Sequence, residues 1–162
     1  GQYEKKIGNI KLPGLNSKMQ EISAIVGNYN LKNFNKILDK RIKIIEMYKN
    51  FFQNFESKKI FSLMKVESNV DCTYLYFPIL VNRHIKKFKE YLTKSNISFR
   101  KYYSTVHNLE FYKKEKKNTV KLDLEFTDKI KNKVIALPIF SDMSTKEVKY
   151  IFSKINQFYK VL

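Results

Sequence analysis

The sequence has no tryptophan, one cysteine, two histidines, three prolines and four glycines in 162 residues. Each shortage removes a class of explanation. A single thiol, Cys72, excludes an internal disulfide and points to a reducing compartment. One cysteine and two histidines make no recognisable zinc site, and no metal site is expected. There is no Gly-x-x-x-x-Gly-Lys phosphate loop and no Gly-x-Gly-x-x-Gly turn. No apolar run approaches the ~20 residues that cross a bilayer, and the opening residues lack the layout of a signal peptide. The expectation is a cytoplasmic protein without a membrane partner. Nothing marks a catalytic nucleophile. Acidic residues are scarce as well, 15 Asp and Glu against 32 Lys and Arg, which leaves a net charge of +17.

That charge has two readings. One is an anionic partner, whether nucleic acid, a membrane surface or a phosphorylated substrate. The other is compositional drift toward Lys, Asn and Ile. We prefer the second. Only Arg41, Arg83 and Arg100 are arginines, whereas phosphate and base readers favour the guanidinium fork. The lysines are also scattered along the chain, so nucleic acid is not the expected partner. A basic, non-enzymatic module for RNA or an anionic surface is kept as the alternative function. Its support is Phe99-Arg100-Lys101-Tyr102-Tyr103, where aromatics interleave with basic groups.

What the chain does have is apolar mass: 43% hydrophobic residues, including 13 Phe and 11 Tyr. That suffices for one compact domain, or for a small domain carrying helices of a larger one. Ser17 and Gln20 fit a capping box ahead of a helix with Met19, Ile22, Ile25 and Val26 on one face, ended by Gly27. Asn30 then caps a longer helix, whose stripe runs Leu31, Phe34, Leu38, Ile42, Ile45, Tyr48, Phe52 and Phe55. Arg41, Lys43 and Lys49 fall off that stripe and read as solvated. Strands are expected over 60–66, 73–81 and 97–103, with Pro78 marking an edge or a bulge. Asn82 caps a helix carrying Ile85, Phe88, Tyr91 and Leu92. Short helical pieces follow at 109–117 and 127–133, then an extended stretch at 134–139. Ser144 and Glu147 form a second capping box before a last helix with Val148, Ile151, Phe152, Ile155 and Phe158 inward.

The run Pro13-Gly14-Leu15-Asn16-Ser17-Lys18-Met19-Gln20-Glu21-Ile22-Ser23-Ala24-Ile25-Val26-Gly27 resembles a family segment, Gly-x-Asn-x-(Arg/Lys)-Met-x-Glu-(Leu/Ile)-x-Ala-x-x-Gly. It belongs to the DegT/DnrJ/EryC1/StrS sugar aminotransferases, which use pyridoxal phosphate (PLP). Ala136-Leu137-Pro138-Ile139-Phe140 resembles the closing Leu-Pro segment of the same family. The resemblance covers roughly Gly1 to Tyr159. It implies an α/β (α+β) chain, the C-terminal part of a fold-type I PLP-dependent transferase. Residues 1–56 would be the end of the large PLP domain, and 57–162 a small domain with a mixed sheet and a final helix.

The resemblance also implies chemistry. The intact enzyme would move an amino group, with glutamate as donor, onto the keto group of a nucleotide-linked deoxysugar that feeds polysaccharide synthesis. It would be a homodimer joined through the N-terminal helices. Asn16 inherits the role of binding the PLP phosphate of the neighbouring subunit, helped by Lys18 where relatives carry Arg. Arg100 to His107 resembles the Tyr-Tyr-x-x-x-His segment that lines the mouth of the active site, which nominates Tyr103 and His107 as substrate-binding. The family's aldimine lysine lies upstream of the first motif. Lys65 sits in the wrong place for that role, so no catalytic residue is assigned and the chain alone is expected to be inactive.

Overall fold

The computed structural model describes residues 18–56, 58–101, 105–114 and 124–161. The chain divides into two compact units, 1–36 and 37–162. This division differs from the boundary expected near residue 57, and it falls inside a helix.

In the first unit, α1 spans Glu21–Lys32. It starts later and ends later than the sequence suggests. Gln20 is the N-cap and makes no side-chain cap bond, while Ser17 lies outside the described residues. Gly27 stays inside the helix, at a cost of about 1 kcal/mol relative to alanine. Asn30 is helical too, and the break comes at Asn33. Its backbone N–H and its side-chain amide both donate to the Tyr29 carbonyl, at 3.2 and 2.9 Å. An asparagine that satisfies the backbone locally competes with helix continuation.

A long helix, α2, spans Phe34–Glu56. From Ile37 onward it belongs to the second unit. There Ile44, Ile45, Tyr48, Phe52 and Phe55 are buried, so this part of the stripe is covered within the second unit. Off the stripe, Lys43 is exposed as expected. Arg41 and Lys49 are half-buried. Lys49 Nζ donates to the Tyr74 hydroxyl at 2.9 Å, and the buried Nε of Arg41 has no hydrogen-bond partner among the described residues.

Four strands form the sheet: β1 (Phe61–Leu63), β2 (Phe77–Val81), β3 (Arg100–Lys101) and β4 (Val134–Leu137). Their order is β1-β2-β4-β3. Every neighbouring pair is antiparallel, where the sequence suggested a mixed sheet. The connection from β2 through α3 (Ile85–Lys94) to β3 does run between parallel strands, but β4 inserts between them. Pro78 sits in a central strand, yet its missing N–H costs little. Val81 N–H donates toward β4, to Lys133, and Asn82 N–H toward β1, to Ile60. Alternation therefore aims position 78 at β1, whose pairing already stops at Ile79.

Phe77, Ile79 and Val81 alternate inward along β2. Rings from α2 (Tyr48, Phe52), α3 (Phe88) and the last helix α6, Thr145–Lys160 (Tyr159), meet Phe61 and Phe77 on one face. Helix α3 is not capped by Asn82, whose amide donates instead to the Ser62 hydroxyl at 3.1 Å. His84 is the N-cap, in the left-handed region at φ 58°. At α6 the expected capping box is present: Ser144 Oγ accepts from Glu147 N–H at 3.2 Å, and Glu147 Oε2 accepts from Ser144 N–H at 2.7 Å.

Candidate functional site

The four residues nominated from sequence fare differently. Asn16 and Tyr103 lie outside the described residues. Lys18 is exposed in the first unit, just ahead of Gln20. His107 is in the second unit and is the one placed within a polar cluster.

That cluster grows from two short elements. Residues Val106–Asn108 form one turn of 3₁₀-helix after an extended Thr105. Positions three apart eclipse in such a turn, so Asn108 Nδ2 reaches back to Thr105 Oγ1 at 2.6 Å. A short helix, α4 (Glu110–Lys114), follows. The second element is α5, Glu125–Ile130. It is held at its exposed face by the Glu125–Lys129 ion pair at 2.6 Å. A turn then leads into β4, with Lys133 N–H donating to Ile130 O at 2.8 Å. Asp128 projects from α5 into the cluster.

One carboxylate oxygen organises the group. Asp128 Oδ1 lies 2.8 Å from Lys131 Nζ, 3.0 Å from His107 Nε2 and 3.1 Å from Asn108 Nδ2. The hydrogen bond from Lys131, then those from His107 and Asn108, hold this carboxyl well below the usual carboxylate range. The group is thus a fixed anion at neutral pH, with a half-buried imidazole against it. Chemically, it presents a hydrogen-bonding histidine to whatever approaches its other ring nitrogen. Neither Asp128 nor Asn108 was singled out from the sequence. Thr127-Asp128-Lys129 looks like any solvated helix turn, and no spacing rule links position 107 to position 128.

Other basic groups make structural contacts. The Arg100 guanidinium stacks over the Tyr76 ring, 5.2 Å from its centroid, and bonds the Tyr76 hydroxyl. Burial and the nearby Lys101 push the Lys89 ammonium down, but it donates to the Asn132 carbonyl at 3.1 Å. Lys65 is exposed just after β1. Among the described residues there is no group of three potential metal ligands, and no helix is long and apolar enough to cross a membrane.

The model of the DegT/DnrJ/EryC1/StrS aminotransferase family matches residues 1–156. The chain belongs to this family. Its members are PLP-dependent sugar aminotransferases, and named relatives agree. The dTDP-4-amino-4,6-dideoxy-D-glucose transaminase of Escherichia coli is 32% identical over 144 residues, which covers 86% of this chain and 38% of that protein. The GDP-perosamine synthase of Escherichia coli O157:H7 is 28% identical over 152 residues, covering 90% and 38%. In fold, the chain resembles a DegT DnrJ EryC1 StrS aminotransferase from Brucella abortus, with a TM-score of 0.78 at 19% identity, over 98% of this chain and 39% of that one. The chain therefore spans about two fifths of the length of the proteins it matches.

Proposed function

We propose that the intact protein transfers an amino group, with glutamate as donor, to a keto group on a nucleotide-linked deoxysugar, and that this chain is its C-terminal part. The family match over residues 1–156 carries this reading. The names of the relatives, which are nucleotide-sugar transaminases and a perosamine synthase, support the substrate class. Residues 1–56 belong in this reading to the end of the PLP domain, and 57–162 to the small domain.

PLP would supply the electron sink for amino transfer. Asn16 and Lys18 suit its phosphate: an amide and an ammonium that come shortly before α1 in the sequence, and helix N–H groups and the helix dipole favour an anion. Asn16 would donate its amide hydrogens to phosphate oxygens of the neighbouring subunit's cofactor. Lys18 would add charge without the bidentate geometry of arginine. Tyr103 and His107 would line the substrate mouth, where His107 exchanges hydrogen bonds with the sugar. The homodimer would form through the N-terminal helices. In support, α1 buries none of its residues, and Ile22, Ile25, Val26 and Tyr29 are all exposed.

The test is made on the intact protein. Amino transfer from glutamate to a nucleotide-linked keto-deoxysugar should be measurable, and its absence across such sugars would end the proposal. Asn16→Ala should weaken PLP retention by roughly one to two decades, the worth of a hydrogen bond to a charged group. An unchanged PLP affinity would remove Asn16 from the site.

A further inference from the structure

Three donors converge on Asp128 Oδ1, and together they decide a proton position. An ionised carboxylate only accepts. Lys131, 2.8 Å away, keeps it ionised. His107 Nε2, at 3.0 Å, must then carry the hydrogen of that contact. The Asn108 amide has two hydrogens, and two acceptors take them: Thr105 Oγ1 at 2.6 Å and Asp128 Oδ1 at 3.1 Å. The close approach of Asn108 Nδ2 to His107 Nε2, 2.8 Å, is then two donors sharing one acceptor. It is not a bond between them. The other ring nitrogen, Nδ1, has no partner among the described residues.

From this geometry we infer that Asp128 is a positioning residue. It fixes His107 as the Nε2–H tautomer and so presents Nδ1 as a bare acceptor for a hydroxyl or amino hydrogen of a sugar substrate. The inference rests on the substrate-facing reading of His107 for its purpose, but the tautomer itself is measured without substrate. Asn108 and Lys131 complete the device, one bracing the turn and the other holding the charge. Removing Asp128 does more than weaken the arrangement. It leaves Asn108 Nδ2 2.8 Å from Nε2 with a free hydrogen, which then favours the opposite tautomer, protonated at Nδ1.

The chain has only two histidines, His84 and His107, so assignment is direct. Uniformly ¹⁵N-labelled chain is studied by long-range ¹H–¹⁵N spectra of the imidazoles, at a pH where both are neutral. A His84→Asn variant, suited to the left-handed conformation there, identifies the His107 signals. The wild type should show His107 protonated at Nε2. Asp128→Ala should lower the ratio of Nε2–H to Nδ1–H by about tenfold or more, the scale of one charge-assisted hydrogen bond. Asp128→Asn, which keeps the shape and loses the charge, should lower it less. The Asp128 side chain is 45% exposed, so neither change threatens the fold. A wild-type His107 protonated at Nδ1, or a ratio that neither variant moves, would overturn the inference. Adding a nucleotide-linked sugar to the intact protein addresses the other reading separately. Silent His107 signals there would remove the substrate contact while leaving the tautomer result standing.

Discussion

Two phenylalanines on one helix, Phe34 and Phe52, belong to the same sequence stripe, and the structure gives them opposite weights. Phe52 is 0% exposed and Phe34 45% exposed. The Phe52 ring lies 4.9 Å from Phe61, 5.2 Å from Phe51 and 5.9 Å from Phe77. Truncating it to alanine loses about 2 kcal/mol of transfer free energy. A hole of about 80 Å³, at about 24 cal/mol per Å³, adds about 2 kcal/mol more. The sum, about 4 kcal/mol, is a large share of the 5–15 kcal/mol typical of a domain. With a urea slope of about 2 kcal/mol per M, the midpoint should fall by about 2 M. Phe34→Ala should cost under about 1 kcal/mol, as changes at half-exposed positions do. With no tryptophan available, far-UV circular dichroism follows both titrations. A Phe52→Ala midpoint within about 0.5 M of wild type, or equal losses for the two variants, would refute the division of the stripe.

Further outcomes follow from the same structure. Ser144→Ala should destabilise the chain by about 1 kcal/mol in the same titration, through loss of the α6 cap. Hydrogen bonds from the Ser144 backbone and side chain hold the Glu147 carboxyl below its usual value, so its contribution is present above the unfolded value and fades as pH falls. Wild type should therefore lose part of its advantage over Ser144→Ala as pH falls below the ordinary glutamate value, and a gap that widened there would contradict the sign. Tyr48→Phe removes the donor to Pro138 O, a 3.0 Å bond, and should cost about 1 kcal/mol. Mixed with PLP and borohydride, the chain alone should trap no adduct at any one lysine, as mass spectrometry would show. The exposed apolar residues of α1 should drive association at high micromolar concentration, and Ile25→Glu should restore the monomer in sedimentation measurements.

The parts of this fold legible in the sequence were those set by period and by a cap with two reciprocal bonds. The inward face of α6 and its Ser144–Glu147 box are examples. So are the apolar strand β2 and the short helices α4 and α5. Boundaries that depend on which bond wins locally were not legible. Gly27 and Asn30 look like a stop and a start, but the helix runs through both because Asn33 holds the stronger local alternative. The burial of α2 was legible as a stripe, but its cover was not. A stripe says that a face will be covered, and it cannot say by what. Here Ile44, Ile45, Tyr48, Phe52 and Phe55 are covered within the second unit, by rings of β1, β2 and α6 among others. The strand order was likewise invisible. Placing β4 between β2 and β3 is a long-range choice, and it makes an antiparallel sheet from a strand–helix–strand pattern that suggested parallel pairing.

The Leu137-Pro138 motif shows why a family signature and a functional site need not coincide. Leu137 is buried at the end of β4, paired with Phe77. Pro138 has no N–H to extend the ladder, so the strand stops there. Its carbonyl accepts from the hydroxyl of Tyr48, a donor that burial keeps protonated. The chain turns through Met143, whose N–H donates to Phe140 O at 3.1 Å, and the capping box launches α6 so that Val148, Ile151 and Ile155 face the core. Leu137, Pro138 and the Phe140 carbonyl thus make folding contacts. The polar cluster, by contrast, is built from residues with little local signature. His107 sits on a single 3₁₀ turn and Asp128 on a six-residue helix, and only the fold brings their side chains within 3.0 Å. A substitution at Leu137 should therefore be read as a change in stability, and one at Asp128 as a change in what His107 offers.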